Sequence, residues 1–172
     1  MKRLLTALLT AAVITLTAGC GETAAETRRT EVSRVYLAGS FFNKTEAANI
    51  EYAENILSEK GLEYFSLMRH DADAPHGTTE WAQKIFEMDC EEIDKADVVV
   101  ALYYGNVSDN GTAWECGYAS SHGIPVVLVH IHDTGGSNLM MHCSSTTDIT
   151  LEQLADYDFK TMPVYEYQGK MY

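Results

Sequence analysis

The chain has 172 residues, 25 acidic against 12 basic side chains, a formal net charge of −13 and 46% hydrophobic residues. That length supports one domain with a substantial core. The acidic balance argues against nucleic acid or an anionic membrane surface as a partner.

The N-terminus reads as a processing signal. Met1-Lys2-Arg3 is a basic start, Leu4 to Leu16 is an apolar run too short to span a bilayer, and Thr17-Ala18-Gly19 are the small residues of a cleavage site. Cys20 follows, and the segment is similar to a bacterial lipobox in which the cysteine is lipidated, although Thr17 stands where an aliphatic residue is usual. The expectation is a lipoprotein signal over 1–19, a flexible tether over 20–33 and a single domain over 34–172, lipid-anchored at the bacterial cell envelope, or secreted or periplasmic if Cys20 is not modified. Removing 1–19 takes away Lys2 and Arg3, so the net charge moves from −13 to −15 and the remaining 153 residues hold the fold. Membrane contact is then expected through the lipid alone. The three further cysteines, Cys90, Cys116 and Cys143, have no CxxC spacing and read as buried free thiols.

Arg34 to Gly39 reads as a first strand, leading into Ser40-Phe41-Phe42-Asn43. Ala47, Ile50, Ala53 and Ile56-Leu57 recur at helical spacing and predict an amphipathic helix over 47–60, closed by Gly61. Glu63 to Met68 suits a second strand, and 69–79, rich in His, Asp, Pro and Gly, suits a polar loop. A helix over Thr79–Lys95 carries an apolar stripe of Ala82, Ile85, Phe86, Ile93 and Ala96, and Asp89 falls inside it. A carboxyl on an apolar face is costly unless paired, so Asp89 is either a structural acceptor or part of a site.

Ala96 to Tyr104 is an apolar run that predicts a buried strand. The turn Ser108-Asp109-Asn110-Gly111 and a helix to His122, ended by Gly123, come next. A strand, a Gly-containing turn and a helix in succession place that turn at the carboxyl edge of the sheet, where open α/β sheets bind ligands. Glu115, in the first turns of this helix, is either an acid favoured by the helix dipole or a site residue. Ile124 to Val129 predicts a parallel central strand. His130 and His132 alternate at its end without a third ligand at metal spacing. A loop over Gly135–Asn138, a short helix over Leu151–Ala155 and an edge strand over Val164–Tyr167 complete the expectation. The alternation predicts a doubly wound α/β domain of the flavodoxin or Rossmann kind, with a mainly parallel sheet flanked by helices.

Several motifs in order carry a resemblance. They are Tyr36-Leu37-Ala38-Gly39-Ser40-Phe41-Phe42, Trp81-Ala82 with Asp89 seven residues beyond, Asp97, Asp109 with Glu115 and Gly117-Tyr118-Ala119, Asn138-Leu139-Met140, and the tail from Gln153-Leu154 through Asp158-Phe159 to Tyr172. Over residues 34–172 the chain resembles the nucleoside 2-deoxyribosyltransferases, in particular their bacterial nucleoside-specific branch. The resemblance implies that Glu115 attacks the anomeric carbon of a 2'-deoxynucleoside, that Tyr36 orients it, and that Asp89 protonates the departing base. A second base then takes the sugar from the ester on Glu115. It also implies substrate contacts from Gly39, Phe41, Asp109 and Tyr172, and contacts from Asn138 and Met140 of a neighbouring subunit in a dimer-based homo-oligomer such as a hexamer. The substrates would be 2'-deoxynucleosides and free purine or pyrimidine bases, with no metal or organic cofactor. The chain departs from the pattern at Met68-Arg69-His70-Asp71, where the family carries a base-recognising loop residue, at the shorter loop before Trp81, and at the bulky Trp114 beside Glu115.

Overall fold

The computed structural model describes residues 31–105, 109–131 and 136–172. The leader, Cys20, residues 20–30 of the tether, Ser108 and His132 lie outside the described residues. The elements run β1 (Arg34–Ala38), α1 (Lys44–Glu59), β2 (Glu63–Ser66), a 3-10 turn over Leu67–Arg69, α2 (Thr79–Asp94), β3 (Val98–Tyr103), α3 (Asn110–Ser121), β4 (Val126–His130), α4 (Leu139–Ser144), β5 (Thr147–Thr150) and α5 (Leu151–Asp156). The five strands form one parallel sheet in the order β2-β1-β3-β4-β5. Consecutive crossovers move leftward from β1 to β2 and rightward from β3 onward, so the order reverses between β1 and β3. No helix among the described residues is long and apolar enough to cross a membrane.

Alternation along the strands sorts the side chains to two faces. Val35 and Leu37 of β1 join Ile50, Leu57 and Leu154 in the core beneath α1 and α5. Tyr36 and Ala38 point the other way, into the core formed with Ile93 of α2, Cys116 and Ala119 of α3, and Met141 of α4. β3 is buried along its whole length because strands cover both its edges and helices both its faces. Helix starts follow side-chain caps: Asn43 accepts from the amides of Thr45 and Glu46, and Thr150 with Gln153 forms a reciprocal capping box.

Three expectations need correction, and one element was not expected. The first concerns Val164–Tyr167, which is not a strand. The edge position belongs to Thr147–Thr150, and the Tyr165 amide donates to Thr147 Oγ1 instead of entering the ladder. Residues 139–144, for which the sequence predicts no element, form α4, capped by Asn138. The apolar stripe of α2 is buried only in its C-terminal half, at Asp89 and Ile93. Toward the N-terminus, Ala82 and Phe86 are exposed, because that half overhangs a pocket rather than the sheet. Cys143 lies exposed on α4, while Cys116 is buried and Cys90 half-buried.

Candidate active site

A pocket of about 790 Å³ opens at the carboxyl ends of β1 and β3, at the point where strand order reverses. Tyr36 enters it from β1, Asp89 from α2 and Glu115 from the second turn of α3. The Tyr36 hydroxyl lies 2.8 Å from Glu115 Oε1 and 3.0 Å from Asp89 Oδ1. The two carboxyl oxygens share one phenol and therefore lie within two hydrogen-bond lengths, about 6 Å, of each other.

A phenol carries one proton, which it can donate to one carboxylate at a time. The second contact is a full hydrogen bond only when that carboxyl is itself protonated and donates to the phenol oxygen. The electrostatics agree with such a shared proton. Burial raises Glu115 to about 7 against the stabilising Tyr36 bond, with further upward pressure from Asp89 and Asp109. Burial raises Asp89 to about 6, again opposed by Tyr36. The Tyr36 phenol is itself pushed far up by burial and by the two neighbouring acids, so it remains a donor. The pair thus titrates as a unit that keeps one proton between the two carboxyls near neutrality.

Local sequence explains these positions. Asp109, not Glu115, caps α3, its Oδ2 accepting from the Thr112 amide at 3.1 Å, and the residue also lines the pocket. Gly111 makes this possible, since a Cβ there would sit 2.8 Å from Asp109 Oδ2. Gly39 lets the chain turn tightly out of β1, where a Cβ would fall 2.9 Å from Ile50 Cδ1 and 3.1 Å from Leu102 Cβ. Phe41 lines the same pocket.

Other expected site residues lie elsewhere. Asn138 and Met140 line a separate cleft with Tyr103, Ala113 and Gly117. There Asn138 caps α4, its amide donates to the Tyr103 hydroxyl at 2.9 Å, and Met140 is exposed. Tyr172 is exposed beside the same segment, its amide donating to Ser137 O and its carbonyl accepting from Leu139 N. Within one chain these three do not reach the pocket that holds Glu115. Trp114 stacks between Phe86 and Tyr118 and borders a smaller apolar cleft that shares Trp81, Asp89 and Glu115 with the main pocket. His130 contacts Asp148 Oδ1 at 2.8 Å, and His142 contacts Asp148 Oδ2 at 2.7 Å, beneath the tail and outside the pocket. Among the described residues, no group of three or more His, Cys, Asp or Glu side chains is placed to hold a metal ion.

The resemblance places His70 and Asp71 in the stretch where the family carries a base-recognising residue, without a match there, and gives His76 no role; all three line the pocket from the 69–79 loop. Their His- and Asp-rich composition was the available signal. The His70 ring stacks on Phe65 at 4.4 Å, and Phe65 stacks on Tyr36 at 5.6 Å. The loop is thereby tied to the floor of the site.

Fold and site together define an α/β protein with a phenol-bridged carboxyl pair at the sheet's switch point. Residues 35–148 match the family described as Nucleoside 2-deoxyribosyltransferase, and the chain belongs to that family. Nucleoside deoxyribosyltransferases of Lactobacillus johnsonii and Lactobacillus leichmannii are 34% and 32% identical to it over 95 and 94 residues. Each match covers 54% of this chain, and 64% and 60% of those relatives, so the chain spans less than two thirds of their length. The solved 2-deoxyribosyltransferase of Bacillus psychrosaccharolyticus superposes with a TM-score of 0.72 at 31% identity, over 78% of this chain and 99% of that one. A CMP N-glycosidase of Clostridium botulinum shares the fold, with a TM-score of 0.51 at 24% identity over 71% of this chain and 98% of that one.

Proposed function

We propose that the protein moves a 2-deoxyribosyl group between nucleobases through an ester on Glu115. The observation that carries this reading is the single Tyr36 hydroxyl within hydrogen-bonding reach of both Glu115 and Asp89. Retaining chemistry at an anomeric carbon needs a carboxylate nucleophile and a nearby acid, with the two carboxyls about 5–5.5 Å apart. In the productive state Tyr36 donates to Glu115 and Asp89 holds the proton. Glu115 attacks the anomeric carbon, the C–N bond breaks, and Asp89 delivers its proton to the departing base. An incoming base then attacks the anomeric carbon of the Glu115 ester, the ester C–O bond breaks to regenerate the carboxylate, and Asp89 takes back a proton from the new base. Asp109, Gly39 and Phe41 line the space for the nucleoside.

The test is purified protein with thymidine alone and with thymidine plus adenine. Transfer gives deoxyadenosine in the second tube only. Free deoxyribose in both tubes would make the protein a deoxynucleoside N-glycosidase on the same scaffold, with water replacing the acceptor base. Glu115→Ala should abolish turnover, and incubation with a 2'-fluoro-2'-deoxynucleoside should add one sugar mass per active subunit. No turnover in wild type with nucleoside binding retained would make it a non-catalytic nucleoside-binding lipoprotein.

Two further readings belong to this proposal. The protein assembles into a dimer-based homo-oligomer in which Asn138 and Met140 of a neighbour complete the sugar site, testable by light scattering and by the kinetics of Asn138→Ala. It is exported and anchored through lipid on Cys20, so Cys20→Ala should move it from the membrane fraction to the soluble one.

A further inference from the structure

The main pocket is walled along one side by α2. Trp81, Ile85 and Asp89, each four residues from the next, form one stripe from the rim to the floor. Asp89 sits at the floor beside Glu115. At the rim, Trp81 Nε1 donates to Asp71 Oδ1 at 2.8 Å, and the Ala72 amide donates to the same oxygen at 2.8 Å. Both acceptor sites of Oδ1 are therefore occupied. Asp71 Oδ2 accepts from no donor among the described residues, and Asp71 lines the pocket. The indole bond also holds this carboxyl below its ordinary range, so it is ionised and can only accept.

The loop that carries Asp71 is fixed before any ligand arrives. Arg69 pairs with the buried Glu54 of α1 through Nε at 3.0 Å. His70 Nδ1 contacts Ser66 O at 2.9 Å, and its ring continues the stack through Phe65 to Tyr36. An acceptor held in place loses little freedom when a donor meets it.

Resting on the deoxyribosyl-transfer reading of this site, we propose that Asp71 reads the edge of the nucleobase remote from the glycosidic nitrogen. The site thereby prefers bases with an exocyclic amino group there, adenine and cytosine, over their carbonyl counterparts hypoxanthine and uracil. An amino group offers an N–H to the free carboxylate oxygen. A carbonyl at the same position sets lone pairs against lone pairs, and the neighbouring ring N–H reaches the fixed oxygen only if the base shifts along its edge away from the position set at Asp89, which is the more costly fit. The closed end of the pocket supplies the complementary constraint, because the base nitrogen must lie against Asp89 to receive its proton.

The test is competition in one tube: one deoxynucleoside donor with equimolar adenine and hypoxanthine, and separately with cytosine and uracil. Wild type should form the amino product in about five-fold excess or more, as expected for one charged hydrogen bond at a solvent-accessible rim. Asp71→Asn places an amide donor where Oδ2 stood and should bring the ratio to about one or below. Trp81→Phe keeps the ring but removes the indole N–H that holds Asp71, and should lower the ratio part way. Calorimetric titration of free adenine and free hypoxanthine gives the same discrimination without turnover. Base exchange with equal product ratios in wild type and Asp71→Asn overturns the inference about Asp71. No exchange, with adenine still bound more tightly than hypoxanthine in wild type but not in Asp71→Asn, overturns the transfer reading and leaves Asp71 as the base reader. Failure of wild type both to exchange bases and to bind adenine overturns both.

Discussion

Replacing Glu115 with Gln should stabilise the folded protein while abolishing its activity, and the stabilisation should depend on pH in one direction. Burial raises the Glu115 carboxyl from 4.5 to about 7. Between those values the folded chain holds a proton that the unfolded chain has released, so stability falls as pH rises through this window and levels off above about 7. The shift corresponds to about 3 kcal/mol, fully absent below the unfolded value and fully present as a cost above the folded one. Gln keeps the carbonyl oxygen that accepts from Tyr36 and carries no charge to desolvate. At pH 8 the variant should therefore be more stable than wild type by up to about 3 kcal/mol, a rise in melting temperature of about 6–12 °C for a domain of this size. At pH 5 the gap should fall below about 1 kcal/mol. Urea or thermal melts of both proteins at the two pH values decide the matter. An advantage of equal size at both, or a less stable variant at pH 8, would refute the assignment of a desolvated, proton-binding carboxyl at this position.

Other outcomes follow from the same geometry. The rate profile in kcat/KM should be bell-shaped with limbs near pH 6 and 7, because the coupled pair must hold one proton, neither two nor none; a flat profile from pH 5 to 8 would contradict a shared proton. Tyr36→Phe removes the hydroxyl that both carboxyls contact, so single-turnover rates should fall by about 10²-fold and both limbs should move to higher pH, since Asp89 and Glu115 each lose the bond that lowers their pKa. Asp148→Ala leaves His130, His142 and the Ser145 hydroxyl without their shared acceptor and should cost about 3 kcal/mol in urea denaturation, with a loss under about 0.5 kcal/mol showing that the cluster contributes little.

Much of the fold was legible in the sequence because it follows from periodicity. Val35 to Ala38, the run through Val98–Val100 and Val126–Val129 read as buried strands, and the three- and four-residue spacing in α1 read as a helix. The exceptions have physical causes. Thr147-Asp148-Ile149-Thr150 is short and polar for a strand, yet it pairs with β4 because Asp148 is satisfied by two histidines and Thr147 by the tail. Val164–Tyr167 has strand composition and passes the open edge of β5, but the Tyr165 amide bonds the Thr147 side chain rather than a backbone carbonyl, so no ladder forms. Phe86 fitted the helical stripe and is nonetheless exposed, since a periodicity cannot tell where a helix runs past the sheet beneath it.

For the site, Asp89 stood out as a carboxyl on an apolar face, and the pocket is what it faces. Glu115 was indistinguishable from a helix-terminal acid on spacing alone, and the capping role in fact belongs to Asp109. The contact between Tyr36, Asp89 and Glu115 depends on three elements meeting in space, which no local pattern encodes. The identity of Asp71 as a fixed acceptor depends on Trp81, ten residues away, and so lay beyond reading the loop by composition.

The strand order has a consequence for how the protein comes into being. β1 is the first strand among the described residues and sits in the interior of the sheet, in register with β3 so that Val35 opposes Val98. Tyr36 and Glu115 are 79 residues apart in sequence, and the bond between them closes only after every element from β1 to α3 has emerged. Sheets built from such distant pairings form slowly and as a whole. The phenol-bridged carboxyl pair is therefore a late product of folding: a chain arrested before residue 115 can have strands and helices but lacks one of the two carboxyls, and no fragment that ends before α3 can assemble the pair.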